Sequence, residues 1–393
     1  MLARVIVNKA GEARQRRGHP WVYEGEIVDA QGALEDGAVV DCYSRRGQFL
    51  GRGYYNGRSK IRLRVLTRDP HEAVDEALLR RRLAWALARR QRLYPGASAL
   101  RLVHAEADGL PGLTVDRYAE VLVLQCTSLA MDLQQAQLVR LLQELTGIPH
   151  VYARNDHSAR RNDGLALHSG FLSAPFPTTV RIAEHGLAFD VDVATGHKTG
   201  FYLDQMDNHL ALRALVPAGA AVLDAFCYTG AFALHAAAAG AGEVLGLEVS
   251  EAALALARHH AELNRLAHVC RFEAANAFDR LRQLVAEGRQ FDVVILDPPS
   301  FTQHRAAVDK ALSGYKEINL RALKLLRPGG VLLTFTCSYY IERARFVATV
   351  AEAAADARRQ LIVRQHLGQA LHHPEVLAIP ETGYLKGLVG EVW

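Results

Sequence analysis

Two stretches of this chain end in residues able to do chemistry together. Asp297 follows the run Phe291-Asp292-Val293-Val294-Ile295-Leu296 and precedes Pro298-Pro299-Ser300-Phe301. Cys337 follows Gly330-Val331-Leu332-Leu333-Thr334-Phe335-Thr336 and precedes Ser338. A carboxyl group can hydrogen-bond a ring nitrogen or an exocyclic amine and stabilise charge that develops there. A thiol ionises readily, attacks carbon and leaves again, which suits a transient covalent adduct. To act together, the two groups must stand at the rim of one cleft.

The runs before them predict that placement. Unbroken apolar residues are expected of a parallel strand covered by helices on both faces. Pro298 has no N–H and Pro299 restricts the residue before it, so the strand stops at Asp297. Open α/β sheets bind their ligands at the carboxyl ends of the strands. If the strands over 291–296 and 330–338 are neighbours, carboxyl and thiol face the same cleft.

From residue 221 onward strand and helix patterns alternate, with further strands over 221–226, 243–249 and 269–273 and helices over 251–264 and 313–326. That alternation predicts a doubly wound sheet. Its first strand ends Asp224-Ala225-Phe226-Cys227-Tyr228-Thr229-Gly230, with one glycine where a pyrophosphate-binding turn needs several. Glu248 ends the next strand 24 positions after Asp224, near the spacing at which a carboxylate takes both ribose hydroxyls. A ribose-binding carboxylate without a phosphate cradle fits S-adenosylmethionine; the plain alternative is a loop carboxylate with no ligand.

The first half of the chain is organised differently. Residues 1–70 are short β runs between glycines and predict a small barrel. Basic and aromatic residues interleave there (Arg14, Arg16, Arg17, His19, Trp21, Tyr23, Arg45, Arg46, Tyr54, Tyr55). Such a mixture suits an RNA-contacting surface, with cations for phosphate and ring faces for bases, or simply an Arg-rich barrel. Residues 71–180 read as a central α+β module, opening on a helix over 74–94 with six arginines (Arg80, Arg81, Arg82, Arg89, Arg90, Arg92). Those could grip a nucleic-acid backbone or form a solvated face. A helix over 130–146 follows, and the Ala183-Glu184-His185-Gly186 turn marks the start of the last domain, 181–393.

Bulk properties narrow the class. At 393 residues, 50% of them hydrophobic and 22% charged, the chain is a folded protein of two or three domains. No apolar run approaches the ~18 residues a membrane span needs, and the N-terminus lacks the apolar core of a secretory signal. A soluble cytoplasmic protein is expected. The five cysteines are scattered without metal-ligand spacing, so no metal is expected and reduced thiols are the default. Cys126, Cys227 and Cys270 read as packing residues. The net charge of +4 would not by itself imply nucleic acid.

In combination, 224–232, Glu248, Asp297-Pro298-Pro299-Ser300-Phe301 and Thr336-Cys337-Ser338 resemble the ordered motifs of class I S-adenosylmethionine-dependent methyltransferases. The upstream segment Gly196-His197-Lys198-Thr199-Gly200-Phe201-Tyr202-Leu203-Asp204-Gln205 resembles one subgroup, the bacterial 23S rRNA cytosine-C5 methyltransferases with an N-terminal PUA domain. The resemblance spans essentially the whole chain. It implies an α/β fold: a Rossmann-like methyltransferase domain preceded by a PUA-like barrel and the central module. It implies that Cys337 adds to carbon 6 of an extruded cytosine while Asp297 holds the base, since carbon 5 alone is a poor nucleophile. The cofactor-binding set it implies is Asp224, Phe226, Tyr228, Thr229, Gly230, Glu248, Asn276, Ala277, Asp297, Lys198 and Gln205. Where such enzymes usually carry an Asp to meet the adenine amine, this chain has Asn276, whose amide can still bond the adenine edge.

The expected partner is 23S ribosomal RNA or a large-subunit precursor, with a homodimer left open. Three other readings share parts of this pattern. A guanine or exocyclic-amine methyltransferase would use Asp-Pro-Pro but not Cys337. A nicotinamide oxidoreductase would want the missing glycines. An RNA-binding assembly factor would need no cofactor pocket. Either Asp297 or a water molecule could remove the carbon 5 proton after methyl transfer.

Overall fold

A computed structural model describes residues 2–302 and 304–393. The chain forms two compact units: Met1–Ile182 with Val191–Leu203 and Leu371–Gly383, and Ala183–Asp190 with Asp204–Ala370 and Tyr384–Trp393. Set against boundaries expected near 70 and 180, the segments 191–203 and 371–383 pack with the first unit.

The first unit carries two sheets. Six strands (Arg4–Val7, Trp21–Tyr23, Ile27–Gln31, Val39–Ser44, Phe49–Tyr55 and Ile61–Thr67) form the N-terminal sheet, closed over Val5, Val7, Val22, Val40, Leu63 and Val65. A five-stranded sheet over 99–171 follows the helix Glu76–Leu93. Buried Asp163 ties the two together: its carboxylate accepts from Ser59 Oγ (2.7 Å), Arg64 (2.9 Å) and the Leu129 N–H (3.2 Å). The surface expected to meet RNA is only partly a surface. Arg16, Arg17, Arg45 and Arg46 are exposed, but His19 and Tyr54 are buried. On the long helix Arg90 is wholly buried against Asp108 (2.6 Å), and Arg82 is spent on the carbonyls of Leu66 and Gly109. Those two arginines therefore hold the fold and do not grip a ligand. The helix expected over 130–146 breaks at Gln134, whose backbone leaves the helical region, into Leu129–Leu133 and Gln135–Thr146.

The second unit is built on a seven-stranded sheet. Its strands are β1 (Ala221–Ala225), β2 (Glu243–Glu248), β3 (Cys270–Ala274), β4 (Phe291–Leu296), β5 (Leu326–Thr336), β6 (Leu361–Leu367) and β7 (Lys386–Val392). Their order across the sheet is β3-β2-β1-β4-β5-β7-β6, the first five parallel and β7 antiparallel to both its neighbours. The helices are α1 (Met206–Arg213), α2 (Ala231–Ala238), α3 (Glu251–Leu263), α4 (Ala277–Ala286), α5 (Val308–Leu325) and α6 (Arg343–Asp356). Val293, Val294, Ile295 and Leu296 of β4 have no exposed surface, as a strand covered on both faces requires. β5 starts at Leu326 and ends at Thr336, so Cys337 and Ser338, expected inside the strand, lie just past it. The antiparallel β6–β7 pair was not expected, and it completes the sheet beside β5. No helix among the described residues is long and apolar enough to cross a membrane.

Candidate active site

β1 and β4 are neighbours: from β1 the chain runs outward through β2 to β3, then crosses back to place β4 on the other side of β1. That is the switch point at which an open α/β sheet has its crevice. Asp224 near the end of β1, Glu248 at the end of β2, Asp297 after β4 and Cys337 after β5 all stand along this carboxyl edge. Leu296 is paired with Thr334, so Asp297 leaves β4 at the level of Phe335, two residues before Cys337 on the adjacent strand's exit. Asp297 and Cys337 are both half-buried.

The loop after β1 departs from ordinary backbone. Phe226 (φ 73°), Tyr228 (φ 49°) and Gly230 (φ 84°) are all left-handed, a conformation that costs a non-glycine residue about 1–2 kcal/mol. At Gly230 a Cβ would also meet the Ala257 Cβ and the Phe272 ring at 3.2 Å. The strained turn leads into α2, whose Ala233 N–H donates to the Asp224 carboxylate (3.0 Å). The other Asp224 oxygen and the Thr229 hydroxyl are buried with no hydrogen-bond partner among the described residues. Buried polar atoms are seldom left so, and each costs on the order of 1–3 kcal/mol until something meets it. Burial, with the nearby charge of Asp297 and a smaller effect from Glu248, pushes the Asp224 carboxyl up to about 8. A cationic ligand is what this pocket lacks, and the sulfonium and ammonium of S-adenosylmethionine answer that need.

Glu248 is half-exposed, with its carboxylate aligned by the N–H groups of Tyr228 (3.2 Å), Val249 (2.8 Å) and Ser250 (2.9 Å). A carboxylate fixed in this way can accept hydrogen bonds from hydroxyl groups. Asn276 caps α4: its side-chain oxygen accepts from the N–H groups of Phe278 (2.9 Å) and Asp279 (3.4 Å). What remains for an adenine is the amide NH₂, a donor that suits a ring nitrogen and not the adenine amine. Ala277 is buried at the start of the same helix. Lys198, in the first unit, is exposed with its ammonium 4.4 Å over the Tyr202 ring. Its turn is anchored within that unit by Thr199, which donates to Asp116 (2.5 Å). Gln205, in the second unit, is buried and accepts from Asn208 (2.5 Å).

Several residues that sequence reasoning left without a role organise the rim. Ser338 is fully buried, and its hydroxyl lies 3.0 Å from both Ser300 Oγ and Tyr315 Oη. Ser300 donates onward to the Thr302 carbonyl (2.7 Å), which fixes the direction: Tyr315 donates to Ser338 and Ser338 to Ser300. The Asp-Pro-Pro-Ser loop and the Cys337 loop are thus joined through one buried hydroxyl. Phe226, Phe278, Phe301 and Tyr315 form an unbroken aromatic line from the cofactor turn to that hydroxyl, with ring centroids 6.5, 5.6 and 4.4 Å apart. Lys386 at the start of β7 donates to the Ser338 carbonyl (3.2 Å). Of the other thiols, Cys42, Cys126 and Cys227 are buried, and burial pushes Cys42 and Cys270 up to about 12. Cys270 is only half-buried, less enclosed than expected of a core position.

A second polar cluster lies apart from this rim. Glu184 accepts from His209 Nδ1 (2.6 Å) and lies 3.1 Å from His235 Nε2, all three buried. Arg213 Nε donates to His235 Nδ1 (2.9 Å), so that nitrogen is the acceptor and the proton sits on Nε2. A protonated Nε2 cannot ligate a cation, and the cluster is a hydrogen-bonded triad.

Comparison with known proteins shows the family. Residues 5–68 match the PUA-like domain family and residues 101–378 the S-adenosylmethionine-dependent methyltransferase family. A "Ribosomal RNA large subunit methyltransferase I" from Shewanella amazonensis is 43% identical over 100% of both chains. One of the same description from Alteromonas mediterranea is 40% identical over 100% of this chain and 99% of its own. Among solved structures, an S-adenosylmethionine-dependent methyltransferase from Streptococcus mutans superposes with TM-score 0.84 at 20% identity over the whole of both chains. A methyltransferase solved with S-adenosylhomocysteine gives 0.86 at 20% identity, again over both whole chains.

Proposed function

The chain belongs to the S-adenosylmethionine-dependent methyltransferases, with a PUA-like domain ahead of the catalytic fold, and from that premise we propose that it methylates carbon 5 of a cytosine in large-subunit (23S) ribosomal RNA, in the cytoplasm. The relatives' description supports the rRNA substrate. The observation that carries the choice of carbon is the half-exposed Cys337 just past the end of β5, the strand next to the one that leads into Asp297.

S-adenosylmethionine supplies the methyl group from its sulfonium. In this reading Asp224, Phe226, Tyr228, Thr229, Gly230, Glu248, Asn276 and Ala277 form its seat, with Gln205 as a further contact. Cys337 adds as thiolate to carbon 6, forming an S–C bond and moving the ring's π electrons toward carbon 5 and N3. Asp297, protonated once the base is bound, donates its proton toward N3 as the electron pair arrives there and takes it back when the S–C6 bond breaks. After methyl transfer to carbon 5, loss of the carbon 5 proton returns the electron pair, the S–C6 bond breaks and the thiolate is regenerated. The aromatic line and the two prolines keep the rim rigid beside a base that must leave its stack to be reached.

The test uses purified protein, S-adenosylmethionine and large-subunit rRNA, with nucleoside mass spectrometry of the product. The reading requires 5-methylcytidine from the wild type and none from Cys337→Ala, with cofactor binding retained in the variant. Turnover by Cys337→Ala would move the chemistry to an amine or another base. Absence of cofactor binding in the wild type would leave only an RNA-binding role.

A further inference from the structure

A cysteine thiol is mostly protonated at neutral pH unless a cation or hydrogen-bond donor stabilises its thiolate. Tyr339, Tyr340 and Glu342 lie on the Cys337 loop itself, and among the described residues β4, α5, α6 and β7 bring further charged and titratable groups. Asp297 stands at the end of β4 and brings negative charge. Tyr315 on α5 has its hydroxyl pushed up, chiefly by burial, and so stays neutral. Arg343 on α6 is occupied by the carbonyls of Leu367 (2.9 Å) and Gly387 (3.3 Å). Lys386 on β7 is paired in register with Thr336, the residue before Cys337, and its Nζ donates to the carbonyl of Ser338, the residue after it. Two residues earlier, Tyr384 donates to Asp204 (2.7 Å), which holds the approach to β7.

We propose that Lys386 is the positioning residue of the nucleophile: its ammonium, held against the Ser338 carbonyl from the antiparallel strand β7, stabilises the Cys337 thiolate and fixes the loop that carries it. The thiol proton leaves to solvent before the reaction, and Lys386 stays protonated throughout. In the seven-stranded sheet β7 runs antiparallel to both its neighbours, β5 and β6. That direction brings its first residue to the carboxyl end of β5, where a parallel strand would have brought its last.

This inference rests on Cys337 being the nucleophile, and its test separates the two. The rate of Cys337 alkylation by iodoacetamide is followed against pH by peptide mass spectrometry in the wild type, Lys386→Gln, Lys386→Met and Lys386→Arg. Gln keeps an N–H donor for the Ser338 carbonyl and removes only the charge, so it preserves the loop if Met does not. The expected result is a midpoint raised by about one pH unit in the Gln and Met variants, a tenfold loss of thiolate near neutrality, and largely restored in Arg. In parallel, adduct formation with 5-fluorocytosine-containing RNA should slow about tenfold at neutral pH in Lys386→Gln and recover at pH 9. Superimposable pH profiles in wild type and Lys386→Gln would overturn the role of Lys386 alone. Failure of the wild type to form any adduct would overturn the nucleophile itself.

Discussion

The buried Asp224 carboxyl lies close enough to Asp297 that the charge of one raises the pKa of the other, second only to the effect of burial. Without a cation nearby, Asp224 holds its proton up to about pH 8. A bound sulfonium nucleoside favours the ionised form, so binding should expel a proton and tighten as pH rises from 6 to 8. Calorimetry in buffers of different ionisation enthalpy should report close to one proton released at pH 7 by the wild type and none by Asp224→Asn. The apoprotein carries the opposite slope. A carboxyl whose folded pKa is raised stabilises fully only below its unfolded value near 3.8, and that contribution is lost as pH climbs through about 8. Thermal midpoints of apo wild type should therefore fall over that window, and those of Asp224→Asn should fall less.

Ser338 joins the loops that carry Asp297 and Cys337: its one hydroxyl accepts from Tyr315 and donates to Ser300. Ser338→Ala leaves a buried Tyr315 hydroxyl without that partner, an expected loss of about 1–3 kcal/mol in denaturant unfolding. The catalytic effect should fall on kcat more than on cofactor affinity, because the seat after β1 does not use this hydroxyl. Equal losses in cofactor affinity and kcat would mean the two loops are held together by other means.

Gly230 is fixed by two independent demands, its left-handed backbone and the 3.2 Å approach of Ala257 and Phe272. Gly230→Ala is expected to cost about 1–3 kcal/mol in stability. It should also weaken S-adenosylmethionine binding, since relief of the strain moves the Tyr228 N–H that aligns Glu248. A variant of unchanged midpoint and unchanged affinity would show that the turn tolerates a side chain.

What the sequence made legible was the part of the fold written in apolar runs. β1, β2 and β4 announce themselves because buried parallel strands need no polar face, and Pro298-Pro299 marks where β4 must stop. β6 and β7 were hidden for physical reasons. β6 is an edge strand whose middle carries Arg364, Gln365 and His366 in solvent. β7 contains Gly387 and Gly390, which read as turn residues but serve close packing: a Cβ would lie 2.5 Å from the Phe335 ring at one and 2.6 Å from Leu361 at the other. Missing β7 meant missing Lys386. Glu184, placed in an exposed polar turn by its neighbours His185 and Gly186, is the last residue of a strand and fully buried. Its partners lie 25 and 51 residues away, beyond any local pattern.

That Glu184–His209–His235 triad makes the second unit sensitive to acid. Burial alone would raise the Glu184 carboxyl, but the His209 imidazole and the hydrogen bonds from both histidines outweigh it and hold the group well below the usual carboxylate range. His235 is lowered to about 4, first by burial, and so stays neutral in the fold at pH values where an unfolded chain would protonate it. Both folded pKa values are depressed, so both contributions are present above the unfolded values and are lost as pH falls. The His235 contribution should fade between about pH 6.5 and 4, and that of Glu184 below about 4.5. Denaturant midpoints measured from pH 7 to pH 4 should decline, and His235→Phe, which keeps an aromatic ring in the stack with His209, should flatten the upper part of the decline. Glu184→Ala should cost roughly 3–5 kcal/mol at pH 7, the penalty for stranding buried polar partners. Because Arg213 keeps the His235 proton on Nε2, zinc at micromolar concentration should leave the wild-type midpoint unmoved. A zinc-dependent rise, abolished by Glu184→Ala, would show that Arg213 yields its place to a metal.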